Sequence, residues 1–172
     1  MKCAIFVAAG LAISTPALAD GYLGLGLGTQ PAVNDAMMST ARPDGRSARG
    51  LAGVRFGNVS LEGALNGFGV IADRERNMYQ LSAALKLSIP LGNNFEAFGR
   101  GGLERTWLSL DNRDLAGDGY LFGGGFEYRL SALIANASLF LDYSYHSATL
   151  DDVGQKIDVT SRFWGLGFTV GI

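Results

Sequence analysis

The stretch MYQLSAALKLSI at 78–89 alternates without a break. Leu81, Ala83, Leu85, Leu87 and Ile89 fall on one side, and Gln80, Ser82, Ala84, Lys86 and Ser88 on the other. Successive side chains of an extended chain point to opposite faces, so this period of two predicts a strand with one apolar and one polar face. The three-four spacing of an amphipathic helix is missing.

The same period recurs on both sides of it. Residues 22–29 set Leu23, Leu25 and Leu27 against Gly24, Gly26 and Gly28. Residues 48–57 set Ala52, Val54 and Phe56 against Gly53 and Arg55. Residues 59–69 set Leu61 and Leu65 against Ser60, Glu62, Ala64 and Asn66. Further along, 95–108 turn Phe98, Arg100, Gly102 and Glu104 one way, with Ala97, Gly99, Gly101 and Leu103 the other. Residues 119–128 set Phe122, Phe126 and Tyr128 against Gly123, Gly125 and Glu127. Residues 134–146 set Leu139, Leu141, Tyr143 and Tyr145 against Ser138, Phe140, Asp142 and Ser144. The segment FWGLGFTVGI (163–172) sets Trp164, Leu166, Phe168, Val170 and Ile172 against Gly165, Gly167, Thr169 and Gly171.

Eight strands of about ten residues each are long enough to cross a bilayer when tilted. A soluble barrel would turn its apolar face inward; here the polar face carries Arg55, Glu62, Lys86, Arg100, Glu104, Glu127 and Asp142, which suits a lumen. The expected connections alternate in length. Those near 31–47, 70–77, 109–118 and 147–157 read as long polar loops. Those at Gly57-Asn58, Pro90–Asn94 and Arg129–Leu133 read as short turns. That alternation predicts long loops outside the cell, tight turns in the periplasm, and both termini on the periplasmic side.

The first twenty residues agree with that location. Met1-Lys2-Cys3 precedes an apolar run from Ala4 to Ile13 and an Ala17-Leu18-Ala19 end. Such a run is shorter than the ~20 residues of a spanning helix and reads as a secretory signal peptide, with cleavage expected between Ala19 and Asp20. The expected organisation is a signal peptide over 1–19 and a β-barrel domain over 20–172. Cys3 is the sole cysteine, so the exported chain has no disulfide and no thiolate ligand or nucleophile. The formal net charge of −2 comes without a basic patch and gives no nucleic-acid signal. Twenty-five glycines occur with 48% apolar residues, which excludes a disordered chain. The fold expected from the residues is all-β, an eight-stranded antiparallel up-and-down transmembrane β-barrel of the outer membrane.

Three stretches add a family resemblance: KLSIPLGNNFEAFGRGGL (86–103), LFGGGFEYRLS (121–131) and LFLDYSY (139–145). Together they resemble the OmpA-like and OmpX-like small outer-membrane barrels. That family reads Lys-Leu-x-x-Pro at a periplasmic turn, then an Arg-x-Gly strand, Gly-Gly-x-Glu-Tyr and Leu-Glu-Tyr. The resemblance implies inward charges at Glu62, Lys86, Arg100 and Glu127. It departs from the family at Phe140, where an inward arginine is usual, and at Ile172, where an aromatic is usual. It also stops at the eighth strand, with no peptidoglycan-binding domain appended.

An eight-stranded barrel is just wide enough for its own side chains. Arg55, Glu62, Lys86, Arg100, Glu104, Glu127 and Asp142 are therefore expected to form one packed ionic network, the inward glycines leaving room for the long arginine. A narrow gated channel is the alternative. A lipid A-modifying enzyme centred on His146, with Ser147 and with Asp151 and Asp152 in the loop, is a third reading. It is disfavoured because adjacent residues of a strand point apart. Gly24-x-Gly26-x-Gly28 is a strand face, since no helix follows to make a dinucleotide loop. The acid-rich 111–118 lacks the ligand pattern and closing glutamate of a calcium loop, and Asp73–Arg76 reads as a solvated tip, so no metal or cofactor is expected. Arg42, Arg46 and Arg49 are candidates for lipopolysaccharide phosphates. Trp107, Tyr120, Tyr143, Tyr145 and Trp164 are candidates for an aromatic girdle. The function expected is a non-enzymatic structural or surface-interaction role. Expected partners are outer-membrane lipid and lipopolysaccharide, the insertion machinery and periplasmic chaperones during biogenesis, and an extracellular ligand held by the loops.

Overall fold

In chain order the strands are β1 (Asp20–Gly28), β2 (Ala32–Val33), β3 (Ser47–Phe56), β4 (Val59–Phe68), β5 (Asn77–Gly92), β6 (Phe95–Leu110), β7 (Arg113–Ser131), β8 (Asn136–Asp152) and β9 (Gln155–Gly171). They are those of a computed structural model, which describes residues 20–29, 32–33, 46–68, 77–110, 113–131, 136–152 and 155–172. The expected leader 1–19, Arg42, the tip Asp73–Arg76 and most of 31–47 lie outside the described residues.

Each long strand pairs antiparallel with the next, and β1 pairs with both β3 and β9, so eight strands close into a ring without an edge. The two-residue β2 pairs with Arg162 and Ser161 on β9, just beyond the point where β1 ends opposite Gly165. Closure pairs Tyr22–Gly28 of β1 with Gly165–Gly171 of β9 and so removes the open edge there, as a sheet in lipid requires. Among the described residues no helix is long and apolar enough to cross a membrane.

The alternation is realised residue by residue. Leu81, Leu85, Leu87 and Ile89 of β5 are exposed, while Gln80, Ser82, Lys86 and Ser88 are buried in the ring. Leu61, Leu85 and Gly101 stand side by side on the outer wall, one per strand. Two tight turns lie at one end. Gly57 has a φ of 62° in the first. In the second, Asn93 and Asn94 have φ of 50° and 66°, the pair of left-handed residues that a two-residue hairpin favours. A register shift between Pro90 and Gly92 places the proline at a bulge, where its missing N–H does no harm.

The other end departs from expectation. The described residues of 109–118 and 147–157 are strand, not loop. Strand β6 runs to Leu110 and β7 resumes at Arg113; β8 runs to Asp152 and β9 resumes at Gln155. Strands β5 to β9 have 16 to 19 residues, against 9 or 10 for β1, β3 and β4, so one side of the wall rises well above the other. The physical reason is a core. Phe68, Met78, Leu108, Leu115, Ala148, Leu150, Val159 and Phe163 all point inward and pack together there, while Arg105–Asp118, Ser109–Asp114 and Thr149–Asp158 bond on the outer face.

Aromatic rings mark the levels of the wall. Tyr143 packs on Trp164 at 5.1 Å, and Phe122 stacks between Tyr120 and Tyr145. Trp107 is also partly exposed on the outer face. Near the tight turns, Phe95 and Tyr128 pair at 4.7 Å. The expected girdle residues thus face outward, above the exposed leucines.

Candidate functional site

Half-way up the ring, residues from five strands meet. Lys86 Nζ on β5 lies 2.7 Å from Glu127 Oε2 on β7 and 3.3 Å from Glu62 Oε1 on β4. Arg100 on β6 reaches Glu62 at 3.8 Å with Nη1 and pairs through Nη2 with Asp142 Oδ2 on β8. It also donates to Ser144 Oγ at 2.6 Å. Asp142 is fully buried. The expected set of Glu62, Lys86, Arg100, Glu127 and Asp142 is therefore joined in one chain. Lys86 also lies 4.5 Å above the Phe98 ring, a cation–π contact that adds to its carboxylate pairs.

Two expected members stand apart. Arg55 pairs with Glu96 at 2.7 Å near the tight turns, where Arg129 shares the same carboxylate at 2.6 Å and Arg55 Nε donates to the Gly57 carbonyl. Glu104 lies above the central network. Its carboxylate bonds His146 Nδ1 and accepts from Thr106 Oγ1 at 3.4 Å. The reason is height: inward positions on one strand are separated by two residues, about 7 Å, so charges several positions apart cannot share a partner.

Sequence reading missed three participants and misplaced one. Arg49 was expected at lipopolysaccharide phosphates. Instead it is buried in the lumen, with Nη1 on Asp142 Oδ2 at 2.8 Å and Nε on Asn66 Oδ1 at 2.8 Å. It lies within the expected strand 48–57 and has the parity of Gly53 and Arg55, so the alternation carried back from Gly53 turns it inward. Glu96 likewise has the parity of Arg100. Tyr22 shares the glycine face of β1 and donates to Glu62 Oε1 at 2.6 Å. The third is His146. It has the parity of Asp142, is 2% exposed, and stacks on Phe163 at 5.0 Å.

The glycines serve other groups than the arginine. A Cβ on Gly53 would collide with the Tyr22 ring, one on Gly167 with the Phe140 ring, and one on Gly165 with the Asp142 carboxylate. Phe140, in the place of the family's usual arginine, packs with Leu51 and Phe98 as an apolar plug beside the charges. The space lined by Arg49, Glu62, Asn66, Ser82, Arg100 and His146 is no larger than about one water molecule. Among the described residues no group of three or more histidine, cysteine or acidic side chains is placed to hold a metal.

Ser147 has the opposite parity to His146 and faces out, as expected of neighbours in a strand. The arrangement around His146 is a buried histidine–carboxylate pair under an apolar roof.

Three solved structures share the ring. Neisserial surface protein A is 18% identical with a TM-score of 0.64, the match covering 88% of this chain and 97% of that one. The N-terminal β-barrel domain of OprF from Pseudomonas aeruginosa is 12% identical with a TM-score of 0.57, covering 90% and 98%. Ail, the attachment invasion locus protein of Yersinia pestis, is 14% identical with a TM-score of 0.54, covering 91% and 100%. At these identities the likeness concerns the fold. No curated protein matches the chain as a relative. The family model described as the outer membrane protein β-barrel domain matches residues 5–171. With its closed ring, outward leucines and inward charges, the chain belongs to that family of outer-membrane β-barrels, and its location is the cell outer membrane.

Proposed function

We propose that the protein is a non-enzymatic barrel with a structural or surface-interaction role, its lumen plugged by side chains. Residues 1–19 serve as its export signal, and the insertion machinery and periplasmic chaperones are its partners during biogenesis. The tight turns face the periplasm and the long hairpins face outward among lipopolysaccharide, where an extracellular ligand would meet them. The observation that carries this reading is the central layer. Arg49, Arg100, Lys86, Glu62, Glu127 and Asp142 fill the cross-section with mutual bonds, and Phe140 closes the space beside them. A polar interior of this width is filled by its own side chains. Burial of His146 against Glu104, with Ser147 on the other face, supports a packing role for this histidine over a His146–Ser147 hydrolase.

Planar bilayers containing the purified barrel test the reading. Wild-type and Arg100→Ala proteins are both expected to pass no unitary current. Unitary current from the wild-type protein overturns the closed lumen and makes the barrel a narrow channel.

A further inference from the structure

We propose that Arg162 and Arg46, with the rings beside them, form a docking site for the phosphorylated headgroup of an outer-leaflet lipid. The proposal deepens the surface-interaction reading by naming a partner and a place. On the outer face of β8 and β9 the facing pairs climb from Leu141–Leu166 to Tyr143–Trp164, Tyr145–Arg162, Ser147–Thr160 and Thr149–Asp158. The series passes from lipid-facing leucine, through aromatic rings, to groups that belong in water. Arg162 stands at that boundary.

Arg162 is exposed, and its guanidinium lies 5.4 Å over the Tyr145 ring. Stacking on a ring leaves the N–H edge of a guanidinium for an acceptor. Among the described residues no carboxylate lies within ion-pair distance of it. Asp158, two outward positions higher, accepts from Thr149 at 2.7 Å.

The wall beside it adds a second cation. Trp164 N donates to Thr29 Oγ1 at 3.1 Å, and Thr29 N donates to the Trp164 carbonyl at 2.8 Å, which carries the wall on past the end of β1. Arg46, exposed, lies one residue beyond the Gly28–Ser47 pair, so it reaches the same level two strands from Trp164. It too has no ion-pair partner among the described residues. On the far wall Arg105 is at the same kind of boundary but is neutralised by Asp118 at 3.0 Å. Among the described residues, Arg46 and Arg162 are thus two cations without an ion-pair partner on the β3–β1–β9–β8 side. A phosphate monoester supplies the complementary charge and the oxygens that a guanidinium fork grips. The exposed Leu27, Leu166 and Trp164 lie below, where acyl chains run.

The test uses the folded full barrel in detergent and reads lipid retained on the protein by native mass spectrometry. The probes are lipid A carrying both phosphates, the same lipid with its phosphates removed, and inorganic phosphate. Wild-type protein is expected to hold the phosphorylated lipid about tenfold more tightly than the dephosphorylated one. Arg162→Ala with Arg46→Ala loses that preference, and Arg105→Ala keeps it. Heat-modifiable migration verifies that each variant is folded. A wild type without preference, or a double variant that keeps it, overturns the site. Displacement by millimolar inorganic phosphate overturns the lipid as its occupant. Conductance is blind to all of these outcomes, so the closed-lumen reading and this one fail separately.

Discussion

Strand β8 carries two opposite patterns on one stretch of backbone. Near its start Leu139 and Leu141 face out and Asp142 and Ser144 face in; near its end Thr149 and Asp151 face out and Ala148 and Leu150 face in. The first arrangement suits lipid outside and a polar lumen. The second is that of a water-soluble β-structure, with its apolar side chains withdrawn from solvent. The reversal takes place at the aromatic ring of Tyr143, Tyr145 and Trp164 and the charge of Arg162. The strand keeps its hydrogen bonds through the change, because pairing depends on backbone and not on which face is apolar. Two stabilising devices are therefore stacked in one ring: ion pairs at membrane level and a hydrophobic core above them.

The largest effect is expected at membrane level. Asp142→Ala removes the carboxylate shared by Arg49 and Arg100 and leaves two buried cations short of a partner. A loss of about 3–5 kcal/mol is expected, read from urea unfolding in detergent micelles. A loss below about 1 kcal/mol would show that the network is wet and replaceable. Next comes the upper core. Leu150→Ala deletes a fully buried side chain and is expected to cost about 2–3 kcal/mol. Its signature is local: proteases nick the outer hairpins while heat-modifiable migration is kept. Loss of migration as well would join the two levels into one cooperative unit. The smallest effect is expected on the outer face. Arg105→Ala breaks an exposed pair with Asp118 and should change stability by less than about 0.5 kcal/mol. A larger change would mean that the hairpin's polar face is held by its charges.

The same comparison explains what the sequence disclosed. Lys86 and its neighbours on β5 were legible because leucine and polar residues alternate there for twelve positions. Lys86, Glu62, Arg100, Glu127 and Asp142 then fell on the lumen side by parity alone. The outer hairpins alternate just as strictly, as in Ser147-Ala148-Thr149-Leu150-Asp151. Their phase is opposite, and a search for outward apolar residues reads them as polar loops. Arg49 is hard to place for a related reason: Ala48 and Gly50 give its strand no outward apolar signal before Ala52, and Leu51 points inward. Partners were the least legible part. Parity puts Glu104 and Arg55 in the lumen, but strand stagger decides that one meets His146 and the other Glu96. That stagger is a property of the closed ring, which no single strand encodes.

The bond between Arg49 and Asp142 joins positions 93 residues apart in the chain. Arg100 reaches the same carboxylate across 42. The Arg49 pair cannot form while the wall is an open sheet, since β3 and β8 meet across the lumen only when β1 has found β9, whereas β6 and β8 already flank β7. Until that moment these charges are cheap only in water. The last strand pairing and the drying of the interior are therefore a single event in time, so a half-assembled barrel carries a wet furrow of charge through the bilayer. Assembly is thereby biased toward one outcome: a ring that closes with the wrong stagger keeps its water, whereas correct closure can shed it.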